Sequence, residues 1–422
     1  MAHQAPITHL QFSPDGKFLA TSSWDRTSAI LRVENSVVTH HRTLAHARGF
    51  VTQVAWSPTG YLLLTKSNRG VKVWTQDGVC QRTIDRDVYV ESITWFPSGE
   101  GESSGYWLFP LGKSFFLLFF AAFLSVEGSN VVKVDLKGNV IGIYDFGNIK
   151  LQDVTVTPDG VRLLGVGPLL QSPDGLLPSR SRAEKRLAIY NMDTEQIEHA
   201  TPVLNDVKDI SLARNTRTGL VALVSYENRA PPQLWKLETV QDAARLTLRH
   251  IYMPKSPVDF ACPSYFAGKN DELVLCAGKA GDIHILDQES GTLLHHVRAQ
   301  DLGGDLTCIA WNNAEDNPLM FATGSHDGAV RIWTTLAEQR SSISALEATL
   351  PFIRGPSPSD MEDMPRTEIP LTPQEFESLF ANSVESLGAG PSSISGNRER
   401  MPVVAFAAAH TVGPTVDSDA SP

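Results

Sequence analysis

Histidines and aspartates recur along this sequence at positions where they could support acid–base chemistry. His3 and Asp25 stand near the start, His46 follows, and Asp327 lies far downstream. An imidazole beside a carboxylate can act as a general base whose orientation the carboxylate fixes. The sequence has no H-E-x-x-H motif and no phosphate-cradling glycine loop. An enzyme would also need carboxylates or a nucleophile–base pair that converge in one cavity, so we look first for a structural reason for these residues.

A repeated pattern supplies that reason. Residues 7–33, 51–75 and 306–334 each read as an apolar strand, a turn, a second strand, a polar turn and a third strand. In two of these segments the third strand ends in Trp, at Trp74 and Trp333. Such a repeat, at a period of about 40–45 residues, is typical of four-stranded propeller blades. One blade cannot bury both of its faces, so several must close into a ring.

The same strand–turn rhythm continues between these copies and predicts an all-β, seven-bladed β-propeller over residues 1–335. The predicted blades are listed here in chain order: about 3–44, 46–84, 88–146, 151–192, 207–238, 258–297 and 306–334. In blades of WD-repeat proteins, a His, a turn Asp, a Ser or Thr and the Trp share hydrogen bonds that satisfy buried polar groups. We therefore assign structural blade positions to His3, Asp25, His46, Trp74, Trp235, Asp327 and Trp333. The set is incomplete, because Leu31 replaces the Trp of blade one and Asn68 the Asp of blade two.

Two segments interrupt the rhythm. Residues 101–122 fall between the first and second strands of blade three and contain FFLLFFAA, the most apolar run in the chain. This run is shorter than the 18 or so residues that a transmembrane helix needs. It is either translated non-coding sequence, such as a retained intron, or a loop that docks on a partner or a membrane. Residues 168–185 form a second interruption, a polar loop rich in Pro, Ser and Arg within blade four.

The sequence also bears on how the first and last blades join to close the ring. The first recognisable strand is already the inner strand of blade one, which predicts a truncated start and a last blade without its outer strand. Residues just after Trp333 are the alternative source of that strand. Residues 336–422 are rich in Ser, Pro and acidic residues and are predicted to be mostly disordered. A capped amphipathic helix is predicted over 373–387, and it either packs on the propeller, binds a partner or reflects chance.

Composition restricts the class of function. The formal net charge is −11 and the pI about 5.6, so a broad phosphate-binding surface is not expected. The four cysteines have no metal-ligand or disulfide spacing, which favours a reducing compartment and no metal site. No apolar signal segment follows the first residues. We expect no cofactor, no nucleic-acid or membrane partner, and a location in the cytoplasm, with the nucleus as a second compartment.

The order of four segments resembles one family in particular. LAHARGFVTQVAWSP (44–58), NVVKVDLKGNVIGIYD (130–145), QLWKLE (233–238) and the closing 308–334 follow one another as in the WD-repeat subunit of the GID/CTLH E3 ubiquitin ligase. The resemblance implies a non-catalytic subunit that assembles the ligase or recruits substrates. LisH and CTLH helical modules, which mediate dimerisation in that family, are absent from this sequence, so self-association is not expected. A WD-repeat scaffold of an unrelated complex is the alternative function.

Six residues are candidates for partner binding, because they lie in turns between blade strands or in connections between blades. Arg and aromatic side chains dominate interface hot spots, and ordinary exposed turn residues are the alternative interpretation. The candidates are Trp24, Arg26, Arg48, Arg69, Tyr89 and His326.

Overall fold

Thirty β-strands make up the computed structural model within the residues that it describes. These residues are 2–34, 37–47, 49–97, 107–111, 114–118, 122–171, 184–213, 219–226, 229–240, 243–254, 257–298, 305–314, 320–335 and 406–412. The chain divides into two compact units, Met1–Ser342 with Ala405–Pro422 and Ile343–Val404, and the second unit lies outside the described residues. In the described part of the chain no helix is long and apolar enough to cross a membrane.

Seven four-stranded antiparallel sheets form the blades, so the predicted all-β, seven-bladed propeller is confirmed. The strands of blades one to four are β1 Ile7–Phe12, β2 Phe18–Ser23, β3 Thr27–Glu34 and β4 Val37–Ala45; β5 Gln53–Trp56, β6 Leu62–Ser67, β7 Gly70–Thr75 and β8 Cys80–Asp85; β9 Ile93–Trp95, β12 Ala122–Glu127, β13 Asn130–Asp135 and β14 Val140–Asp145; and β15 Asp153–Val156, β16 Arg162–Pro168, β17 Lys185–Asn191 and β18 Gln196–Val203. Those of blades five to seven are β19 Val207–Leu212, β20 Val221–Tyr226, β21 Gln233–Val240 and β22 Ala243–Ile251; β23 Phe260–Ala267, β24 Leu273–Gly278, β25 Asp282–Asp287 and β26 Leu293–Arg298; and β27 Leu306–Trp311, β28 Phe321–Ser325, β29 Val330–Thr335 and β30 Phe406–Val412.

The second strands of the blades are buried on both faces because the adjacent blades cover them. β2, β6 and β20 are buried along almost their whole length. At the junction of the first and last blades, Leu10 and Leu31 pack with Cys308 and Ile332 in one core. The hydrophobic burial therefore runs between blades rather than within them, which is why a single blade would not be stable alone.

Side chains of inner strands also bind the backbone of the next blade. The Trp56 N–H donates to Gln11 Oε1 at 2.7 Å, and the Ile93 N–H donates to Gln53 Oε1 at 2.8 Å. The Asp153 carboxylate accepts from the Ile210 N–H at 2.9 Å in the same way. These bonds fix the register between neighbouring inner strands and hold the wall of the central channel.

A β-bulge lies between the third and fourth strands of all seven blades that the structure describes. Each register shift falls directly before the residue that occupies the Trp position of its blade. Those seven residues are Leu31, Trp74, Val134, Tyr190, Trp235, Leu286 and Trp333. The bulge thus identifies equivalent residues in the seven blades.

The interruption in blade three contains a hairpin of its own. β10 (Trp107–Leu111) pairs with β11 (Ser114–Leu118) in a two-stranded sheet, and in the described part of this region neither strand joins the sheet of blade three. β9 and β12 pair across the interruption as neighbouring strands. That residues 101–122 are translated non-coding sequence or a docking loop stays a prediction.

The polar loop of blade four is shorter than predicted. The ladder of β16 and β17 includes the pair Pro168 and Lys185, and the Leu169 N–H donates to the Glu184 carbonyl at 2.7 Å. Both ends of the predicted 168–185 loop thus extend the hairpin, because backbone pairing does not require apolar side chains. Residues 172–183 lie outside the described part.

The prediction that the last blade lacks its outer strand is wrong. β30 pairs with β29 over six residue pairs and completes blade seven. The strand comes neither from the N-terminus nor from the residues just after Trp333, but from residues 406–412, within the segment predicted to be mostly disordered. The sequence FAAAHTV has little hydrophobic alternation, so its pairing is determined by the open edge of β29. The predicted helix over 373–387 lies outside the described residues.

Candidate interaction surface

Connections between blades and turns between second and third strands meet at one end of the ring. The Val51 N–H donates to the Ser23 carbonyl at 3.3 Å, and the Val90 N–H donates to the Asn68 carbonyl at 2.9 Å. Each connection is therefore bound to the turn of the preceding blade. We call this surface of blades one to four the loop face; within the described residues it comprises 24–26, 46–47, 49–52, 68–69, 86–92, 128–129 and 146–152.

An aromatic pair stands on the loop face at blade one. Trp24 and Phe50 are each 51% exposed, and their ring centroids lie 6.1 Å apart. Arg26 is exposed in the same turn, with a φ of 68°. The sequence indicated Trp24 and Arg26 but missed Phe50, whose only signal was a large aromatic residue directly after Gly49 in a connection between blades.

A cleft of about 520 Å³ opens beside Tyr89, where blades two, three and four meet. Tyr89 is 45% exposed, and the Lys66 ammonium lies 5.9 Å from the centroid of its ring. Burial and the nearby Glu91 carboxylate raise the pKa of the Tyr89 phenol, so this group remains neutral. The cleft is lined by Val88, Tyr89, Glu91, Glu127, Gly128 and Lys150.

Fixed charges surround the cleft. Arg86 binds Glu127 through two hydrogen bonds of 2.6 and 3.1 Å, and both side chains are largely buried. Lys150 Nζ lies 3.4 Å from the Glu91 carboxylate near the surface. The cleft therefore combines an aromatic ring with carboxylates and an ammonium group.

The other candidates for partner binding are spread around the ring. Arg69 is exposed in the blade-two turn of the loop face. His326 is exposed in the corresponding turn of blade seven, where its N–H donates to the Asp305 carbonyl at 2.8 Å. Arg48 lies outside the described residues. The structure thus brings Trp24, Arg26, Arg69 and Tyr89 to one surface.

The acid–base residues of blade one form a closed hydrogen-bond network. His3 is buried; its Nδ1 lies 2.9 Å from both Asp25 Oδ2 and Thr27 Oγ1, and its Nε2 lies 2.6 Å from Thr21 Oγ1. Burial acts to raise the pKa of the Asp25 carboxyl, but hydrogen bonds from His3, Thr27 and the Gln4 N–H hold it well below its usual value. No vacant position remains beside this imidazole for a substrate, so the network stabilises the blade.

We expect Asp25→Asn to destabilise the ring by about 1.5–3 kcal/mol at pH 7, because charge-assisted hydrogen bonds are lost. The pKa of Asp25 is lower in the folded state than in the unfolded state. Its contribution to the free energy of unfolding is therefore fully present above the unfolded-state pKa. This contribution disappears as the pH falls from that value toward the folded-state pKa. Urea unfolding of both proteins between pH 7 and pH 3 measures this. A stability difference that is constant over this range would contradict the network.

Blade two keeps only part of this arrangement. His46 meets the Trp74 ring edge-on, with centroids 5.7 Å apart, and the indole N–H donates to Thr65 Oγ1 at 2.8 Å. Burial and the Lys72 charge lower the pKa of His46 to about 4. Its Nε2 has no partner among the described residues. A neutral, buried imidazole packed on an indole fits a structural role.

Blades five and seven use related contacts. The Trp333 N–H donates to Thr323 Oγ1 at 3.0 Å, while Asp327 accepts hydrogen bonds from Ser325 Oγ and, at 3.1 Å, from the Ala329 N–H. In blade five the Trp235 N–H donates to the amide oxygen of Gln233 at 3.2 Å. Each of these polar groups is satisfied within its own blade.

A pair of carboxyl groups lies on adjacent inner strands, and the sequence did not reveal it. Burial raises the pKa of Asp153 to about 6, and burial together with Asp153 raises that of Asp209. Asp153 accepts the Ile210 N–H across the boundary between blades four and five, so it belongs to the backbone links of the channel wall. Among the described residues no group of three or more His, Cys, Asp or Glu could hold a metal ion.

Comparison with known proteins agrees with this architecture. The family model for the WD domain, G-beta repeat, matches residues 1–28, 38–75 and 291–334. These three segments match WD40 repeats. The β-propeller domain of Cps50 (Swd1) from Myceliophteria thermophila superposes with a TM-score of 0.58 at 17% identity, over 79% of this chain and 97% of that domain. This likeness shows the fold, and propellers with WD40 repeats are typically non-catalytic scaffolds.

Proteins from a plant and a yeast are similar to this chain over part of their length. The WD repeat-containing protein WDS homolog of Arabidopsis thaliana is 26% identical over 79% of this chain and 56% of its own length. The WD repeat-containing protein 26 homolog of the same plant is 23% identical over 79% of this chain and 49% of its own. GID complex subunit 7 of Schizosaccharomyces pombe is 28% identical over 47% of this chain and 34% of its own. The chain thus spans a third to just over half of the length of these relatives.

Proposed function

We propose that this chain is a protein-interaction subunit of a GID/CTLH-type E3 ubiquitin ligase, in which it recruits substrates or joins other subunits. The observation that supports this assignment is the similarity to a yeast protein named GID complex subunit 7. In this proposal ligase subunits and substrates are its partners, and it works in the cytoplasm or the nucleus without cofactor, nucleic acid or membrane.

The loop face is the surface that we assign to these partners. Trp24 and Phe50 present two half-exposed rings side by side, and the Tyr89 cleft lies further along the same surface. Buried aromatic anchors next to a polar rim are what stable protein interfaces use. Transfer of ubiquitin itself would be performed by other subunits.

A WD-repeat scaffold of another assembly is the second candidate. Relatives of comparable similarity carry other names, among them Elongator complex protein 2 of Arabidopsis thaliana, 26% identical over 36% of this chain. This candidate uses the same loop face and differs only in the identity of the partners.

Affinity purification of the tagged full chain, followed by mass spectrometry, tests the proposal. We expect the GID/CTLH subunits to be recovered, and their yield to fall about 10-fold or more in Trp24→Ala/Phe50→Ala, because hot-spot truncations cost about 2 kcal/mol or more each. Tyr61→Ala is the matched control: Tyr61 is also 51% exposed but lies in the turn between β5 and β6.

Each outcome decides between the candidates. A purification without GID/CTLH subunits contradicts the ligase proposal, and recovery of another complex that depends on Trp24 and Phe50 supports the second candidate. Equal yields from the double variant and from Tyr61→Ala would exclude the Trp24–Phe50 pair as a binding anchor. Fluorescence microscopy of the tagged chain tests the location.

A further inference from the structure

Blade six lacks the indole that fills the corresponding position of blades two and seven. The bulges align Leu286 with Trp74 and Trp333, and the cross-strand pair of Val274 and Leu286 matches that of Leu63 and Trp74. Both tryptophans are almost fully buried. A leucine is much smaller than a tryptophan, so it fills less of the space at this position.

The hydrogen-bond partner of the indole is replaced as well. Trp74 and Trp333 donate to Thr65 and Thr323, and the register places Cys276 in that position of blade six. Burial raises the pKa of the Cys276 thiol to about 12, so the thiol stays protonated and behaves as a small apolar group. Blade six has therefore exchanged a tryptophan and its acceptor together.

A cavity of about 150 Å³ occupies this region. Its walls are mostly apolar and come from the end of blade five and from blade six; they include Tyr252, Phe260, Cys276, His284, Leu286 and Leu293. Met253 also lines it and is 71% exposed, so the cavity reaches the surface beside a flexible thioether. An apolar cavity of about this size can bind a benzene ring.

His284 lines this cavity and carries a buried ring nitrogen without a partner among the described residues. His284 is 93% buried, since its relative exposure is 7%, and its Nδ1 makes no hydrogen bond to any described residue. Burial and the stacked His296 ring, 4.8 Å away, lower the pKa of His284, while the Asp282 carboxylate acts in the opposite direction. The imidazole is therefore neutral near pH 7, and in the tautomer that carries its proton on Nε2 it can accept one hydrogen bond at Nδ1.

We propose that this cavity of blade six binds a single aromatic ring that carries a hydrogen-bond donor, in chemical terms a phenol, with its O–H directed to His284 Nδ1. The ring fills the volume that the missing indole leaves, and the apolar walls and the Met253 thioether contact its faces. The hydroxyl satisfies the imidazole nitrogen, which an unsubstituted ring would leave buried and unpaired. The phenol can belong to a tyrosine of a partner protein or to a small molecule.

Titration of the full chain with p-cresol, followed by calorimetry or ligand-detected NMR, tests the site. We expect saturable binding, and binding of toluene that is weaker by about 3–10-fold because it leaves His284 Nδ1 unpaired. In His284→Leu this preference for p-cresol is expected to disappear. Ordered water alone is the competing occupant, and in that case p-cresol does not bind and the proposal is overturned.

Variants that restore the indole give the decisive control. Cys276→Thr/Leu286→Trp recreates the pair found in blades two and seven, and it is expected to abolish p-cresol binding while it retains the fold. Val79→Trp adds the same side chain at a position that is 56% exposed, and it should leave binding unchanged. If the double variant does not fold, Leu286→Phe narrows the cavity and should weaken binding at least 10-fold. Undiminished binding in the folded double variant, or in Leu286→Phe, would place the ligand elsewhere and overturn the assignment.

Two peptides distinguish the sources of the phenol. Ac-Gly-Tyr-Gly-NH₂ should compete with p-cresol if a tyrosine of a partner is the ligand, and Ac-Gly-Phe-Gly-NH₂ should compete less well. Competition by neither peptide, with p-cresol still bound, assigns the cavity to a small phenol. This proposal is independent of the ligase assignment, because it concerns a cavity of blade six and its test requires no other subunit.

Discussion

Replacing Trp333 by alanine is expected to lower the free energy of unfolding by about 3–5 kcal/mol, the usual range for a buried aromatic truncation. The indole is 4% exposed, stacks on Phe321 at 5.7 Å between centroids and donates its N–H to Thr323 Oγ1. Its removal therefore creates a cavity in the core shared by the last two blades and leaves a buried hydroxyl without its donor. Urea unfolding followed by circular dichroism measures the loss.

Trp24→Ala is the control for this variant, because it removes the same side chain from a position that is 51% exposed. We expect its effect to stay within about 0.5 kcal/mol. Equal losses from the two variants would mean that the repeated Trp is not what holds the blades together. Trp333→Phe should recover most of the packing but not the hydrogen bond, and thus fall between the two.

Ending the chain after residue 401 is expected to destabilise the ring by about 3 kcal/mol or more and to make it associate. β30 contributes six backbone pairs to blade seven, and each backbone hydrogen bond contributes about 0.5–1.5 kcal/mol net. Without β30 the edge of β29 is exposed, and unpaired strand edges promote association between chains. Thermal unfolding and light scattering during size-exclusion chromatography measure the two effects.

A chain that ends after Gly413 provides the comparison, since it keeps all of β30 and removes only residues 414–422. It should match the complete chain in both stability and mass. If the chain that ends after residue 401 also unfolds and elutes like the complete chain, β30 would not be required to close the ring.

Much of the fold could be predicted from the sequence because strand period, turn residues and terminal tryptophans repeat with the blades. β30 was not predicted because its pairing depends on the edge of a strand distant in sequence and not on a pattern in its own residues. The ends of the 168–185 loop were misplaced for a related reason. A polar hairpin extends through backbone hydrogen bonds, and these do not depend on the hydropathy of the side chains.

The candidate site was less accessible from sequence. Trp24, Arg26, Arg69 and Tyr89 were indicated because turns of a propeller are exposed, whereas the ring contact of Phe50 depends on how a connection between blades folds back. The replacement of the tryptophan of blade six could not be predicted from the sequence. Leu286 is unremarkable in the sequence, and only the alignment of the bulges shows that it replaces a tryptophan.

The separation of β29 and β30 along the chain has a consequence for synthesis. β29 ends at Thr335 and β30 at Val412, so the last blade stays open while the intervening residues are translated. At about 5–20 residues per second this interval lasts about 4–15 s, far longer than the microseconds in which strands find their neighbours. A nascent ring thus spends seconds with one exposed edge, a period in which a chaperone that binds extended strands would prevent aggregation.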